Sequence, residues 1–224
     1  MPSEFSRKEV ESLSKKVDFV AKKAIEEFSV KFKWTATMWY DNVDLNIIRG
    51  EVSLQLERII RKYGSVTQTV AQELLKSVGI PASAIPELIN QEILAAETVI
   101  GLDGMVKKND ADQSGRYYNG IIDRVVKDGY RKMVAYNSKR YARIPTGTYT
   151  CPWCVMMASR GYVYISEDTA AASSHFYCNC LILPGGKKVA GYDPDFYYDL
   201  YKQGKGVGEK PKRGVALDTS GNQF

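Results

Sequence analysis

The chain has 224 residues, 44% of them hydrophobic and 25% charged, with a formal net charge of +5. That composition is globular rather than disordered, supplies a core for one domain or two modest ones, and holds no apolar run of roughly eighteen residues that would cross a membrane. The mild positive charge permits contact with nucleic acid without demanding it.

Residues 3–29 carry Val10, Leu13, Val17, Val20, Ala24 and Phe28 at steps of three and four, the spacing of one helix face. Ser6 and Glu9 fit a capping box at its start. The stripe packs on its own domain or forms a seam with a partner helix. Residues 30–41 are bulky, with Phe32, Trp34, Met38, Trp39 and Tyr40, and read as a continuation of the helix or a short extended connection. Asp41 or Asn42 is expected to cap a second helix over 44–62, marked by Leu45, Ile48, Val52, Leu56, Ile59 and Ile60. Gly64 is expected to end that helix and Ser65 to cap another reaching Val78. After Gly79 and Pro81, a helical pattern returns over 84–100.

Gly101 to Arg116 is polar and contains Gly101-Leu102-Asp103-Gly104 and Asn109-Asp110-Ala111-Asp112, so it reads as a linker loop. One helix is expected over 117–142, with a basic face made by Arg116, Arg124, Lys127, Arg131, Lys132, Lys139, Arg140 and Arg143. That face is either solvated or a contact surface for DNA or an acidic partner. A short helix 152–160 follows, opened by Pro152 and closed by a left-handed Gly161. Tyr162–Ile165 and Cys180–Leu183 read as strands on either side of a small polar loop, Ser166 to Ser174. Asp193 to Tyr201 reads as an aromatic helix anchored by Phe196, Tyr197, Leu200 and Tyr201, and the Gly/Lys-rich remainder as a mobile basic tail. The expected fold class is therefore mainly α with a small α+β module. It divides into a helical region 1–100, a linker loop 101–116, a long helix plus Cys/His module 117–184 and a flexible basic tail 185–224.

All four cysteines and the only histidine fall within thirty residues, as Cys151, Cys154, His175, Cys178 and Cys180. A Cys-x-x-Cys knuckle followed some twenty residues later by His and further Cys closes a tetrahedron around Zn²⁺. Five candidates compete for four positions, and the spacing leaves open which one stands outside. Two disulfides are the first rival, but the N-terminus shows no basic-then-apolar signal sequence. A thioredoxin-type redox pair is the second, and the surroundings lack the strand-helix-strand context it needs. A catalytic zinc would want an open position and a base, and no second histidine exists to serve.

The same block carries a resemblance. Cys-x-x-Cys, the Ala158–Gly161 helix end, the aromatic Tyr162-Val163-Tyr164, His-x-x-Cys-x-Cys and the apolar run Leu181-Ile182-Leu183-Pro184 resemble the C-terminal core of phage minor head proteins of the Mu F-like or SPP1 kind. There the usual form is His-Pro-Asn-Cys-Arg-Cys; here Phe176, Tyr177 and Asn179 replace Pro, Asn and Arg. The resemblance covers roughly residues 115–185. It implies a structural virion protein of the phage head, assembled in the host cytoplasm. Such a protein would be associated with the portal or other head proteins, act in head morphogenesis or genome delivery, and possess no enzymatic activity, membrane contact or small-molecule substrate. A zinc-containing nucleic-acid-binding or nuclease-like protein that touches packaged DNA through the basic helix is the alternative. An enzyme using Cys154 as nucleophile is a second.

Overall fold

The computed structural model describes residues 4–83, 86–165 and 175–208. Four long helices, α1 (Arg7–Tyr40), α2 (Leu45–Ser77), α3 (Gln91–Lys108) and α4 (Ala111–Asn137), form the body. β2 (Tyr141–Ile144) pairs antiparallel with β3 (Leu181–Pro184), and β1 (Glu4–Phe5) pairs in parallel with β4 (Lys188–Val189). The short helices α5 (Pro152–Ala158) and α6 (Pro194–Lys202) complete it, so the fold is mainly α with a small α+β region. Among the described residues no helix is long and apolar enough to cross a membrane. α4 is the central element, packed against α1, α2, α3 and β3.

The capping box that opens α1 is formed in full. Ser6 Oγ accepts from the Glu9 amide at 3.2 Å, and Glu9 Oε2 accepts from the Ser6 amide at 2.7 Å. Ser6→Ala is expected to cost about 1 kcal/mol, the usual worth of such a cap, read as a lowered urea midpoint at unchanged slope. Nothing interrupts α1 through residues 30–40, because Phe32, Thr35 and Ala36 prolong its buried stripe. The cap of α2 is neither Asp41 nor Asn42. Asp41 ends α1, Asn42 turns the chain at φ 57°, and the Asp44 carboxylate caps α2 through the Asn46 amide at 2.7 Å.

Three expectations about breaks are corrected. α2 runs straight through Gly64, and Ser65 caps nothing: its hydroxyl donates to Lys62 O within the helix. Gly64 and Gly129 are where α2 and α4 cross. A Cβ on Gly129 would stand 2.7 Å from Gly64 O and 2.5 Å from Thr67 Oγ1, whose hydroxyl donates to Val126 O at 2.6 Å. Glycine here permits backbone approach, not chain reversal. The helix expected from residue 84 starts instead at Gln91, with Asn90 as its cap. The loop expected over 101–116 shrinks to Asn109-Asp110. Asn109 ends α3 in the left-handed region at φ 51°, and Asp110 caps α4 through the Gln113 amide. Gly101 is internal to α3 because the Tyr118 ring lies where its Cβ would be, 2.2 Å away.

The sheet is corrected too. The helix expected to reach residue 142 stops at Asn137, and Tyr141–Ile144 is a fully buried strand. β3 pairs with that strand, not with residues 162–165, which contribute one bridge, Tyr164 to Tyr141. Two cores result. Phe28, Phe32, Ile48, Leu56, Ile60, Tyr118 and Ile122 fill one between the long helices. Val10, Val17, Leu75, Tyr130, Met133, Ile144 and Ile182 fill the other, where β2 and β3 lie against α1, α2 and α4. α6 forms as expected, though only Tyr197 of its aromatic residues is buried. The loop Ser166 to Ser174 and the tail from residue 209 lie outside the described residues.

Candidate metal centre

The centre grows out of the N-terminus of α5. Cys151 takes an extended conformation (φ −68°, ψ 159°) and caps the helix, its Sγ accepting from the Cys154 amide at 3.4 Å. Pro152 occupies the first turn, where no amide is needed. One turn of helix then brings Cys154 Sγ to the same side, which is why the x-x spacing works. His175 to Cys178 approach from across the module. Phe176 is pressed against Gly120 of α4, where a Cβ would meet its ring at 2.5 Å, and stands edge-on to Tyr117 at 5.6 Å. Arg124 lies over the same ring, 5.2 Å from its centroid. Tyr177 adopts φ 58°, a left-handed conformation costly for an aromatic residue, and that turn swings Cys178 back into the interior.

All five sequence-predicted residues converge. Cys151, Cys154 and His175 form one group, and Cys154, Cys178 and Cys180 form another, with the donor atoms of each group within 4.8 Å of one another. Cys154 belongs to both. Cys151 Sγ lies 3.1 Å from His175 Nε2, and Cys154 Sγ lies 3.6 Å from both His175 Nε2 and Cys178 Sγ. A tetrahedral ion with Zn–S near 2.3 Å and Zn–N near 2.0 Å needs donor separations of roughly 3.5–3.8 Å; the two 3.6 Å separations around Cys154 suit such an ion, and the 3.1 Å between Cys151 and His175 is shorter than it needs. His175 Nδ1 is 2.8 Å from Phe176 O. A carbonyl only accepts, so Nδ1 carries the proton there and Nε2 is the atom left for a ligand role. All four cysteines are free thiols, so the disulfide arrangement is not the one formed.

The electrostatics split the cysteines, drawing Cys151 and Cys178 toward the thiolate and Cys154 and Cys180 away from it. The hydrogen bond from Cys154, then His175, draws the Cys151 thiol down to about 4, while Cys151 and then Cys178 push the His175 imidazole up to about 10. Cys154, between two thiolate neighbours, is raised by those same bonds, first that to Cys151 and then that to Cys178. Cys178 is lowered by Cys154 first, then Cys180, with Arg143 and Arg131 assisting against burial.

Those two arginines are the residues that sequence reasoning placed wrongly. The expected basic face of α4 is not a single solvated surface, for Lys127, Arg131 and Arg143 are buried. Arg143 Nη2 donates to Cys178 Sγ at 3.1 Å, and its guanidinium lies over the Trp153 ring at 4.8 Å. Arg131 donates to the carbonyls of Cys178 and Cys180 and pairs with Asp128 at 2.8 Å. Lys127 Nζ pairs at 2.8 Å with both Asp18 of α1 and Asp123, and also donates to Asn179 Oδ1 at 2.8 Å. Two guanidinium charges thus back the thiolates, a role set by contacts 47 and 35 positions along the chain. The available signal was the i, i+4 run Asp123, Lys127, Arg131 next to the apolar positions Ile122, Val126, Tyr130 and Val134.

A family profile described as VG15 protein matches residues 4–204 of the chain. Over 60 residues the chain is 40% identical to the "Gene 15 protein" of Mycobacterium phage D29, a match covering 27% of this chain and 20% of that protein. The chain therefore spans about a fifth of that relative's length. No solved structure matches the chain.

Proposed function

The chain belongs to the VG15 protein family, and from that membership and the thiol–imidazole centre we propose that it is a structural protein of the phage head. In this reading it is a minor capsid protein that works by binding, in the virion and during assembly in the host cytoplasm. Its centre holds one structural Zn²⁺ through Cys151, Cys154, His175 and Cys178, for Cys154 Sγ lies 3.6 Å from both His175 Nε2 and Cys178 Sγ, and Cys151 Sγ lies 3.1 Å from the same nitrogen. Cys180 remains a buried thiol beside them. The ion supplies a cross-link between α5 and the segment before β3, and no reaction is assigned to it. The observation that carries a structural role is the backing of the donors by buried cations and carbonyls. With four protein donors the proposed shell is closed, whereas a catalytic zinc keeps one position open.

The partner is the portal or an adjoining head protein. The turn between α1 and α2 offers the contact: Trp34 is 62% exposed and Tyr40 57%, with Leu45 and Ile47 beside them. Exposed aromatics of this kind dominate interfaces. Trp39 is not such an anchor, because its Nε1 donates to Asn109 Oδ1 at 3.1 Å and it packs on the helical core. Of the basic residues expected on the face along α4, Arg116, Lys139 and Arg140 are the exposed ones left for packaged DNA. Trp34→Ala is expected to lower incorporation into purified heads about tenfold, the size of a modest hot spot, measured by quantitative mass spectrometry of particles. Cross-links from residues 34–47 to the portal in those particles are the matching positive result. Metal-dependent cutting of DNA by the wild type, abolished by His175→Ala, would replace this reading with that of a nuclease.

A further inference from the structure

α3 carries apolar side chains on every side. Leu94, Thr98, Leu102 and Met105 face inward, against α2 and α4. Its outward side bears Ile93, Val99, Ile100 and Val106, and Ile93 and Ile100 are 57% and 53% exposed. Between Glu92 and Asp103 the helix has a single charged residue, Glu97, which Arg124 and Tyr117 hold against α4. Four aliphatic side chains exposed together on one helix form an apolar surface of the kind that marks an interaction site, and the described chain does not cover it.

We propose that this side is a self-association surface, on which α3 of a second copy lies antiparallel across a two-fold axis between Val99 and Ile100. The pattern reads the same in reverse. In that register Ile93 of one copy faces Val106 of the other, Val99 faces Ile100, and Glu92 faces Lys107. Ala96, the smallest outward residue, falls opposite Asp103 and leaves room for the 2.7 Å ion pair between Asp103 and Lys107. The charge distribution selects the direction. The acidic Glu92 is in the first turn of α3, and Lys107 and Lys108 are in its last. A parallel pair would set like charges together, whereas the antiparallel pair brings opposite charges and opposite helix dipoles side by side. One patch serves both copies, as a two-fold interface requires. This inference does not rest on the metal centre or on the virion role.

Sedimentation velocity of the full-length chain, over roughly 1–100 μM, reads it directly. The wild type is expected to dimerise within that range. Ile100→Glu places two carboxylates near the axis and is expected to raise the dissociation constant at least a hundredfold, with the helical circular dichroism unchanged because the side chain is exposed. Glu92→Lys is expected to weaken the dimer about tenfold at low salt, and Glu92→Lys combined with Lys107→Glu to restore it. A wild type that stays monomeric throughout overturns the proposal, as does an Ile100→Glu variant that pairs as tightly as the parent. A Glu92→Lys variant of unchanged affinity, or a charge swap no tighter than the single variant, overturns the antiparallel register and with it the proposal.

Discussion

Cys154→Ser is expected to yield protein without bound zinc and to lower the unfolding free energy by at least 3–5 kcal/mol. Cys154 is the donor common to both halves of the centre, so its loss empties the site whichever neighbours complete the shell. Structural zinc contributes on the order of 10 kcal/mol of binding free energy, which is folding free energy when the unfolded chain holds no site, and a domain has only about 5–15 kcal/mol in total. Elemental analysis reads the metal, and denaturant melts read the stability. A strong chelator should bring the wild type down to the level of the variant and leave the variant unmoved. Cys180→Ser should keep the metal and cost far less. The damage should spread beyond residues 144–184. Arg131 is anchored on the carbonyls of Cys178 and Cys180, and Asn179 holds Lys127, so hydrogen exchange should rise in α4 while the far turn between α1 and α2 keeps its protection. A chelator-insensitive wild type with full stability would show that the thiols need no ion.

Lys127→Met is expected to cost about 3–5 kcal/mol, the penalty for breaking a buried ion pair and stranding its partner. Here two carboxylates are stranded, and each already has a buried oxygen, Asp18 Oδ2 and Asp123 Oδ2, without a hydrogen-bond partner among the described residues. The deficit carries a pH signature. Burial pushes the Asp123 carboxyl up, and Lys127 is the main influence opposing it. With the lysine gone, that pKa rises further above its unfolded value. A carboxyl with a raised folded pKa contributes stability that is present at low pH and lost as pH rises through the folded value. The variant's deficit should therefore shrink on acidification from neutrality, and thermal melts across pH 5–8 would show the gap to wild type narrowing toward the acid end. A gap independent of pH would mean that the carboxylates find water or another cation.

The sequence made the helices and the donor cluster legible because both are local signals. A capping box spans four residues, a helical stripe repeats every turn, and the five soft ligands lie within one thirty-residue window. What failed was decided at long range. Gly64 reads as a terminator until its neighbour Gly129, sixty-five positions later, shows that two helices cross there. Lys127 and Arg131 read as surface charge because Asp18 and the Cys178 and Cys180 carbonyls that satisfy them come from other elements. Tyr141–Ile144 passed for the end of a helix because four buried residues in a row carry no period that separates strand from helix. Its true partner, β3, comes some forty residues later.

The parallel pairing of β1 with β4 sets an order of assembly on a growing chain. Phe5 accepts a hydrogen bond from the Ala190 amide, so the strand made first waits for one made near the end of the described chain. The buried members of the core around Phe28, Ile48 and Tyr118 all precede residue 127, with Phe176 added at its edge later, so that core can largely close while synthesis continues. The core around Val10, Val17 and Ile182 cannot, and until residue 183 emerges the first turns of α1 have no sheet to rest on. The cysteines emerge between these two events, so the proposed ion would be captured before the chain closes over it. Closing so long a loop adds only about 0.6 kcal/mol per doubling of its length. The delay is therefore mainly one of time rather than of stability, and α1 spends that interval half docked, its apolar N-terminal stripe open to whatever else is being made nearby.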